Sequence, residues 1–309
     1  MSGLAERIAA LTPAQRRLLE QRMQREGLAA GMRPGGVPHQ PDAEHYALSF
    51  GQQRLWFLHQ LAPASPAYNI PFAGRLEGPL DPALLERSVN EVVRRHEILR
   101  TVFTVAGEVP VQKVLSGLEV RIAVDDLTLL PPDEREAEAE RRVNDEARVP
   151  FDLATPPLLR VRVLLLAPEV QMLLVTMPHI VTDAWSMAVF FREVPVLYDA
   201  FAEGLPSPLP EPAIQFRDYA IHQRQTVAGE ALERLTAHWK QALAGAPPAL
   251  DLPADFPRPL VHRFRGRRHA VDLPREIIRQ FERLGQGEGA TPFMALLAAF
   301  AVLLHRYSG

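Results

Sequence analysis

The residues of this sequence best placed to carry out chemistry are His179 and Asp183, four positions apart. The apolar run at 172–176 predicts a buried strand that ends before His179, and the pattern over about 185–201 predicts a helix that follows Asp183. A histidine at such a junction can point into a cleft while the strand holds its backbone still, and it can then act as a general base. The alternative is a satisfied strand-end histidine followed by a helix-capping aspartate. These two residues alone leave both interpretations open.

The elements that must position this pair alternate between helix and strand from about residue 45 to 212. Two apolar runs, at 158–166 and 170–177, predict a hairpin with its turn at 167–169. A helix is predicted from Asp81-Pro82, where the proline takes the first helical position, and another over the charged stretch 132–147, with a solvated face. Paired strands packed against helices are typical of an α+β protein. Further strands are predicted at 100–105, 109–115 and 120–124.

Helical patterns dominate the rest of the chain. The segment 291–306 is apolar on most of its circumference, so it is predicted to be a buried helix. At the other end, 4–26 predicts two short helices broken at Thr12-Pro13 before a proline- and glycine-rich linker, and the alternative is a frayed, solvated tail. The remaining predictions are helices at 214–226, 230–243 and 275–284, and a strand at 268–273.

Composition excludes several classes of function. The net charge of −3 implies no polyanionic partner such as nucleic acid, and the absence of cysteine excludes disulfides, a cysteine nucleophile and cysteine-ligated metals. No apolar run approaches the roughly 18–20 residues of a membrane span, and the N-terminus lacks a signal-peptide core. We therefore expect a cytoplasmic protein with no membrane contact. The ten histidines form no His-x-x-x-His pair beside a carboxylate, so no metal is expected.

Four short segments resemble, in order, the core motifs of one protein family. Residues 177–186 read Met-Pro-His-Ile-Val-Thr-Asp-Ala-Trp-Ser, with His179 and Asp183 inside. This stretch is similar to the His-His-x-x-x-Asp-Gly signature of the condensation domains of nonribosomal peptide synthetases. Four motifs in order are more specific than any one of them. Residues 49–58 resemble the first motif, 95–103 the second and 216–220, more weakly, the fourth; 65–71, with Tyr68-Asn69-Ile70-Pro71, and 303–309 also resemble the family.

The resemblance implies a chloramphenicol acetyltransferase-like fold of two lobes that form a V, with the active site between them. We expect a helical docking or linker segment at 1–43, a complete N-terminal lobe at 44–212 and the start of the C-terminal lobe at 213–309. The family continues beyond the position that matches Gly309. The resemblance therefore implies that the second lobe is incomplete, and that residues 1–309 alone neither catalyse condensation nor resist aggregation.

The resemblance also assigns the site residues. His179 matches the histidine implicated in catalysis, whereas Pro178 and Ala184 replace the signature's first histidine and its glycine. Pro178, Ala184 and Trp185 are candidate channel-lining residues, and Ser186 is interpreted as a helix-start polar group rather than a nucleophile. In the family the aspartate forms a structural salt bridge, which gives Asp183 a supporting role. Its candidate arginine partners are Arg54, Arg95, Arg100 and Arg267, and His96 is also expected to be structural.

The chemistry that the resemblance implies is acyl transfer from a thioester to an amine. His179 would act as a general base, or stabilise the tetrahedral intermediate, or position the amine. In the family both substrates arrive on phosphopantetheine arms, so no cofactor is expected to be bound covalently. The expected partners are upstream and downstream carrier (thiolation) domains, with an adenylation domain downstream.

Several other functions compete with this one. Pro178 argues against a heterocyclising variant, which would begin its signature Asp-x-x-x-x-Asp-x-x-Ser at that position. The Tyr68-Asn69-Ile70-Pro71 region and the first motif look like peptide-bond-forming members rather than epimerising relatives. The remaining alternatives are a degenerate, non-catalytic docking domain, in view of Pro178 and Ala184, and a free-standing acyltransferase to a small-molecule amine or alcohol.

Overall fold

The strand that leads to His179 lies inside a four-stranded sheet. The computed structural model describes residues 36–247, 249–257 and 271–308. Up to Val227 its elements are, in chain order, β1 (Tyr46–Ala47), α1 (Phe50–Leu61), β2 (Asn69–Glu77), α2 (Pro82–Arg95), a 3₁₀ turn (Glu97–Arg100), β3 (Thr101–Ala106), β4 (Val109–Val114), β5 (Ile122–Asp126), α3 (Pro132–Arg148), β6 (Arg160–Ala167), β7 (Val170–Pro178), α4 (Ala184–Ala202) and α5 (Phe216–Thr226).

The four-stranded sheet has the order β2–β7–β6–β5, and β1, β4 and β3 form a separate three-stranded sheet. The predicted hairpin of β6 and β7 is confirmed, with an irregularity between Leu165 and Ala167. β5 and β6 are parallel because α3 connects them as a crossover, whereas β7 is antiparallel to both of its neighbours. The mixed α/β architecture expected from the sequence is therefore confirmed.

Both faces of the central strands are buried, which explains their continuous apolar sequences. On one face, Val163 and Val175 belong to a core cluster that also includes Val92 of α2 and Leu197 of α4. On the other face, Leu164, Leu166 and Leu174 cluster with Ala139 of α3. The charged helix α3 is thus solvated on its outside and anchored through a small residue on its inside.

The first compact unit ends at Val227, and the second begins at Ala228. The first unit includes α5, because side chains of α5 and its N-cap bind the 3₁₀ turn and α1. The second unit contains α6 (Gly229–Ala242), α7 (Arg275–Gly287) and α8 (Pro292–Ser308).

The predicted burial of α8 is not found among the residues that the structure describes. None of its described side chains is buried, and the exposed fractions of Phe293 and Phe300 are 71% and 54%. Within its unit α8 packs against α7, and one neighbouring helix covers only part of an all-round apolar surface. No single helix in the described ranges is long and apolar enough to span a membrane, although α7 and α8, bent by 107°, meet that criterion as a pair.

Several predictions fall wholly or partly outside the described residues. The two N-terminal helices lie before residue 36, and Arg267 lies in the gap between 257 and 271. Residues 36–43, the described part of the expected docking or linker segment, have no regular secondary structure. The described part of the predicted strand at 268–273, residues 271–273, forms no strand.

Candidate active site

His179 lies directly after β7, and Pro178 is the last residue of that strand. The backbone N–H of His179 donates to the carbonyl of Tyr68, 2.8 Å away, on the β2 side. Successive backbone N–H groups of a strand point to opposite sides, so the nitrogen of Pro178 faces the β6 side. There β6 has already ended, because its first residue, Arg160, pairs with Thr176. A proline at 178 therefore removes no hydrogen bond from the sheet.

The turn that follows Pro178 is held in place by the core. The N–H of Val181 donates to the carbonyl of Pro178 at 3.0 Å, which closes the turn. Ile180 and Val181 belong to the main core cluster, with exposed fractions of 5% and 4%, and Thr182 is also buried. The backbone around His179 is consequently fixed on both sides, while the imidazole itself is exposed.

The imidazole ring of His179 has a defined tautomer. Its Nδ1 lies 2.7 Å from the carbonyl oxygen of Thr182. A carbonyl oxygen can only accept, so Nδ1 carries the hydrogen and the neutral ring keeps its lone pair on Nε2. Nε2 has no hydrogen-bond partner within the part of the chain that the structure describes. The site thus presents an accessible nitrogen base on a fixed backbone.

Asp183 caps helix α4. Its Oδ1 accepts hydrogen bonds from the backbone N–H and the hydroxyl of Ser186, both at 2.7 Å. The backbone hydrogen bond from Ser186, helped by the nearby His179, holds the pKa of Asp183 below its usual value. Among the described residues no arginine is within salt-bridge distance of this exposed carboxylate. The structure therefore gives Asp183 the capping role rather than the expected arginine pair.

One of the candidate arginines binds a different carboxylate. Arg95, buried at the end of α2, lies 3.4 Å from Glu193 of α4 and donates to the carbonyls of Leu209 and Pro210. His96 contacts the same Glu193 carboxylate at 2.8 Å. The second motif therefore ties α2 to α4, the helix that Asp183 begins.

The other candidates are accounted for by local contacts or position. Arg100 pairs with Glu97 at 3.3 Å and also donates to the carbonyl of Leu115. Arg54 is exposed on α1, and Arg267 lies outside the described residues. None of the described candidate arginines pairs with Asp183, since Arg95 pairs with Glu193, Arg100 pairs with Glu97 and Arg54 is exposed.

The channel-lining candidates fall into two groups. Pro178 is buried at the strand end, whereas Ala184 and Trp185 are exposed in the first turn of α4. The exposed fraction of Trp185 is 73%, so it is not a core residue of this unit, unlike Trp56, which packs against the core. Ser186 binds Asp183, as expected for a helix-start polar group.

Two residues of the fourth motif to which the sequence assigned no role, Arg217 and Asp218, organise the unit. Arg217, with an exposed fraction of 7%, contacts Asp42 at 2.8 Å and Glu97 at 3.0 Å, and it also donates to the hydroxyl of Tyr46. The side chain of Asp218 is fully buried. Burial raises its pKa, but hydrogen bonds from the backbone N–H groups of Gln215 and Gln40 and from His39 leave that pKa lowered overall. An adjacent Arg-Asp pair inside a motif was the available signal.

The start of the first motif and the residue that precedes it are bound to α5 as well. The N–H of Phe50 donates to Gln223, and Arg224 donates to the carbonyl of Leu48 at 2.7 Å. Partly buried polar contacts therefore connect the fourth motif and its helix to the first and second motifs. More than a hundred residues of sequence separate the partners.

The comparisons with known proteins agree with the motifs. A family model described as "Condensation domain" matches residues 42–309. The chain belongs to the condensation domain family. Solved condensation-type domains share its fold, which confirms the expected chloramphenicol acetyltransferase-like class.

Relatives of this condensation domain are parts of large synthetases. Phosphinothricin tripeptide synthetase PhsB of Streptomyces viridochromogenes is 47% identical over 262 residues, which are 85% of this chain and 22% of that protein. Chondramide synthase cmdD of Chondromyces crocatus is 43% identical over 284 residues, 92% of this chain and 7% of that protein. This condensation domain sequence thus spans a small part of the curated relatives that it matches.

Among solved structures, the X-domain from teicoplanin biosynthesis is 28% identical with a TM-score of 0.79, covering 89% of this chain and 60% of that one. The first condensation domain of the CDA synthetase has a TM-score of 0.69 at 22% identity, covering 87% of this chain and 63% of that one, which shows the shared fold alone.

Proposed function

We propose that this condensation domain forms an amide bond between a carrier-bound acyl or peptidyl thioester and a carrier-bound aminoacyl amine. The observation that carries the proposal is the accessible Nε2 of His179, whose lone pair is fixed by the bond from Nδ1 to Thr182. Of the roles that the family allows this histidine, a neutral Nε2 supports that of the general base. A hydrogen-bond donor to an oxyanion would need the hydrogen on that nitrogen instead.

The proposed reaction proceeds in balanced steps. The amine nitrogen attacks the thioester carbonyl, a C–N bond forms and the proton of the amine passes to Nε2 of His179. The C–S bond then breaks, and the thiolate of the departing phosphopantetheine arm recovers the proton from the imidazolium. Asp183 and Arg95 take no proton in this scheme, because the first caps α4 and the second is buried against Glu193.

The proposed partners follow from the family and from the relatives. Two carrier domains would deliver the donor and the acceptor on phosphopantetheine arms, and an adenylation domain would load the acceptor. A free-standing acyltransferase would instead accept an unattached amine or alcohol. Supplying the acceptor both carrier-bound and free, at equal concentration, separates these two functions.

The central test replaces His179 by alanine in the natural protein that contains this chain. Amide product from carrier-bound donor and acceptor, followed by mass spectrometry, is expected to fall by at least ~10²-fold, the usual contribution of a general base. The exposed His238 provides the matched control, and His238→Ala should retain the wild-type rate. Near-wild-type turnover in a folded His179→Ala protein would remove His179 from the mechanism.

A second function, docking without catalysis, is supported by one observation. The teicoplanin X-domain, solved in complex with OxyB, aligns with this chain at a TM-score of 0.78, and Pro178 and Ala184 depart from the signature. Docking predicts that the wild-type protein forms no amide and that His179→Ala leaves partner binding unchanged.

A further inference from the structure

We infer that Asn69 and Arg160 are positioning residues for His179, because they clamp the C-terminal end of α3 onto the end of β7 that carries it. Asn69 belongs to the Tyr68-Asn69-Ile70-Pro71 stretch, to which the proposed mechanism gives no role. The inference rests on the proposed function insofar as His179 is the base. It names two further residues on which the geometry of that base depends.

Asn69 joins α3 to the strand beside His179. Its side-chain amide donates to the carbonyls of Ala147 and Val149, at 3.0 and 2.8 Å. These are among the last carbonyls of a helix, which have no partner within the helix itself. Asn69 is also the first residue of β2 and lies opposite Pro178 in the sheet. One side chain therefore fixes the start of β2 against the end of α3.

Arg160 makes the equivalent connection on the other side of β7. It is the first residue of β6 and lies opposite Thr176. Its guanidinium donates to the carbonyl of Val149 at 2.8 Å and to the carboxylate of Glu146 at 2.5 Å. The two donors share the carbonyl of Val149, so β2 and β6 are bound to the same helix end.

The effect reaches His179 through a single backbone hydrogen bond. β2 is an edge strand of its sheet, and a strand end at an edge frays unless something holds it. The carbonyl of Tyr68, one residue before Asn69, accepts the N–H of His179 at 2.8 Å. Without the anchor at Asn69, that carbonyl would move away, and the turn that sets the bond from Nδ1 to Thr182 would loosen.

The chemistry of the asparagine side chain suits this role. Two carbonyl oxygens face it, so the side chain must supply two hydrogens from one nitrogen, which a primary amide does. Asn69→Asp keeps the shape but replaces two donors by a carboxylate that faces two acceptors. Asn69→Ala removes the connection without introducing a charge.

The test compares Asn69→Ala, Asn69→Asp and Arg160→Gln with a matched control, Asn90→Ala. Asn90 also donates two hydrogen bonds to backbone carbonyls, those of Glu86 and Val120, but it lies on α2 and anchors the segment before β5, at the opposite edge of the sheet. Asn90 also accepts a hydrogen bond from the N–H of Val120, so Asn90→Ala removes three hydrogen bonds and Asn69→Ala removes two. The melting temperature of Asn90→Ala should therefore fall at least as far as that of Asn69→Ala.

We expect Asn69→Ala to lower kcat for amide formation by ~10- to 10²-fold with an unchanged KM for the acceptor, as displacement of a catalytic group does. Asn69→Asp should lower kcat at least as much, and Arg160→Gln should also lower it. Asn90→Ala should leave kcat unchanged. Because Asn69 acts through His179, adding Asn69→Ala to His179→Ala should cause no further loss. Additive losses in this cycle would overturn the inference.

A second readout does not depend on activity. The ring ¹⁵N chemical shifts of His179 should show the Nδ1–H tautomer in the wild-type and Asn90→Ala proteins and a mixture of tautomers in Asn69→Ala. Unchanged shifts in Asn69→Ala would overturn the inference even if the wild-type protein formed no amide. If the wild-type protein formed no amide but Asn69→Ala still changed the tautomer of His179, only the proposed function would be contradicted.

Discussion

At the scale of single residues, the turn after β7 gives two titratable side chains different tasks. His179 uses Nδ1 to bind the carbonyl of Thr182 and leaves Nε2 accessible, whereas Asp183 uses its carboxylate to cap α4. The short spacing between them places both on one turn, where His179 presents a nitrogen lone pair and Asp183 supports the helix. Pro178 precedes them at a position where the sheet needs no N–H.

Asp183→Ala is expected to destabilise the unit by about 1 kcal/mol, which is the usual cost of losing an N-cap side chain. A buried ion pair would cost about 3–5 kcal/mol, but the capping geometry does not call for that larger loss. Asp183→Asn, which can still accept from Ser186, should retain most of the stability. Thermal unfolding distinguishes these outcomes, and a loss above about 3 kcal/mol for the alanine variant would indicate an ion pair after all.

At the scale of elements, the end of α2 is joined to the middle of α4 by a buried carboxylate. Glu193 of α4 contacts both Arg95 and His96, and the exposed fraction of the Arg95 side chain is only 3%. Removing one partner of a buried pair leaves an uncompensated charge, which is far more costly than removing an exposed partner.

Glu193→Ala should therefore lower the free energy of unfolding by about 3 kcal/mol or more, since Arg95 keeps its two carbonyl acceptors but loses its counter-charge. Glu211→Ala is the matched control, because Glu211 pairs with the exposed Arg94. That exposed pair should contribute less than about 1 kcal/mol. Denaturant titrations of both variants measure the difference, and equal losses would mean that the Arg95 contact is not a buried pair in solution.

At the scale of the whole unit, α5 binds both the segment that precedes the first motif and the second motif. Asp218 receives the N–H groups of Gln40 and Gln215, and Arg217 joins Asp42 to Glu97. The compact unit therefore includes α5.

Asp218→Ala is expected to release the segment around Gln40, whose N–H should lose protection from hydrogen exchange at about pH 7. The pKa of Asp218 is lowered in the folded state, so its stabilising contribution is present above the ordinary carboxyl value of about 3.9 and is lost as the pH falls through the lower folded value. The wild-type protein should lose the same protection only at that low pH. Asp145→Asn, at an exposed pair, is the control.

If the wild-type amide of Gln40 exchanged as fast as that of the Asp218→Ala variant at neutral pH, the hydrogen bond from Gln40 to Asp218 would not exist in solution. If the protection of that amide in the wild-type protein failed at neutral pH and returned at low pH, the sign of the linkage would be wrong.

Local sequence patterns were sufficient to predict most of the described helices and strands and to identify the family. The pattern of apolar residues predicted the hairpin of β6 and β7 and the helix α4, because such patterns depend on residues only a few positions apart. The helix over residues 291–306 was also correctly predicted, but its burial was not, because burial depends on what packs around it. Motif order identified the condensation domain, because each motif is a local string.

The pairing of charged side chains depends on the tertiary structure. Arg95 pairs with Glu193 and Arg217 with Glu97, each across about a hundred residues of sequence, and no local pattern records such pairings. The expected arginine partner of Asp183 was a choice among charges that look alike in a sequence. Which of them meet is set by how helices pack on a sheet. Among the residues that the structure describes, the same packing brings no hydrogen-bond partner to Nε2 of His179.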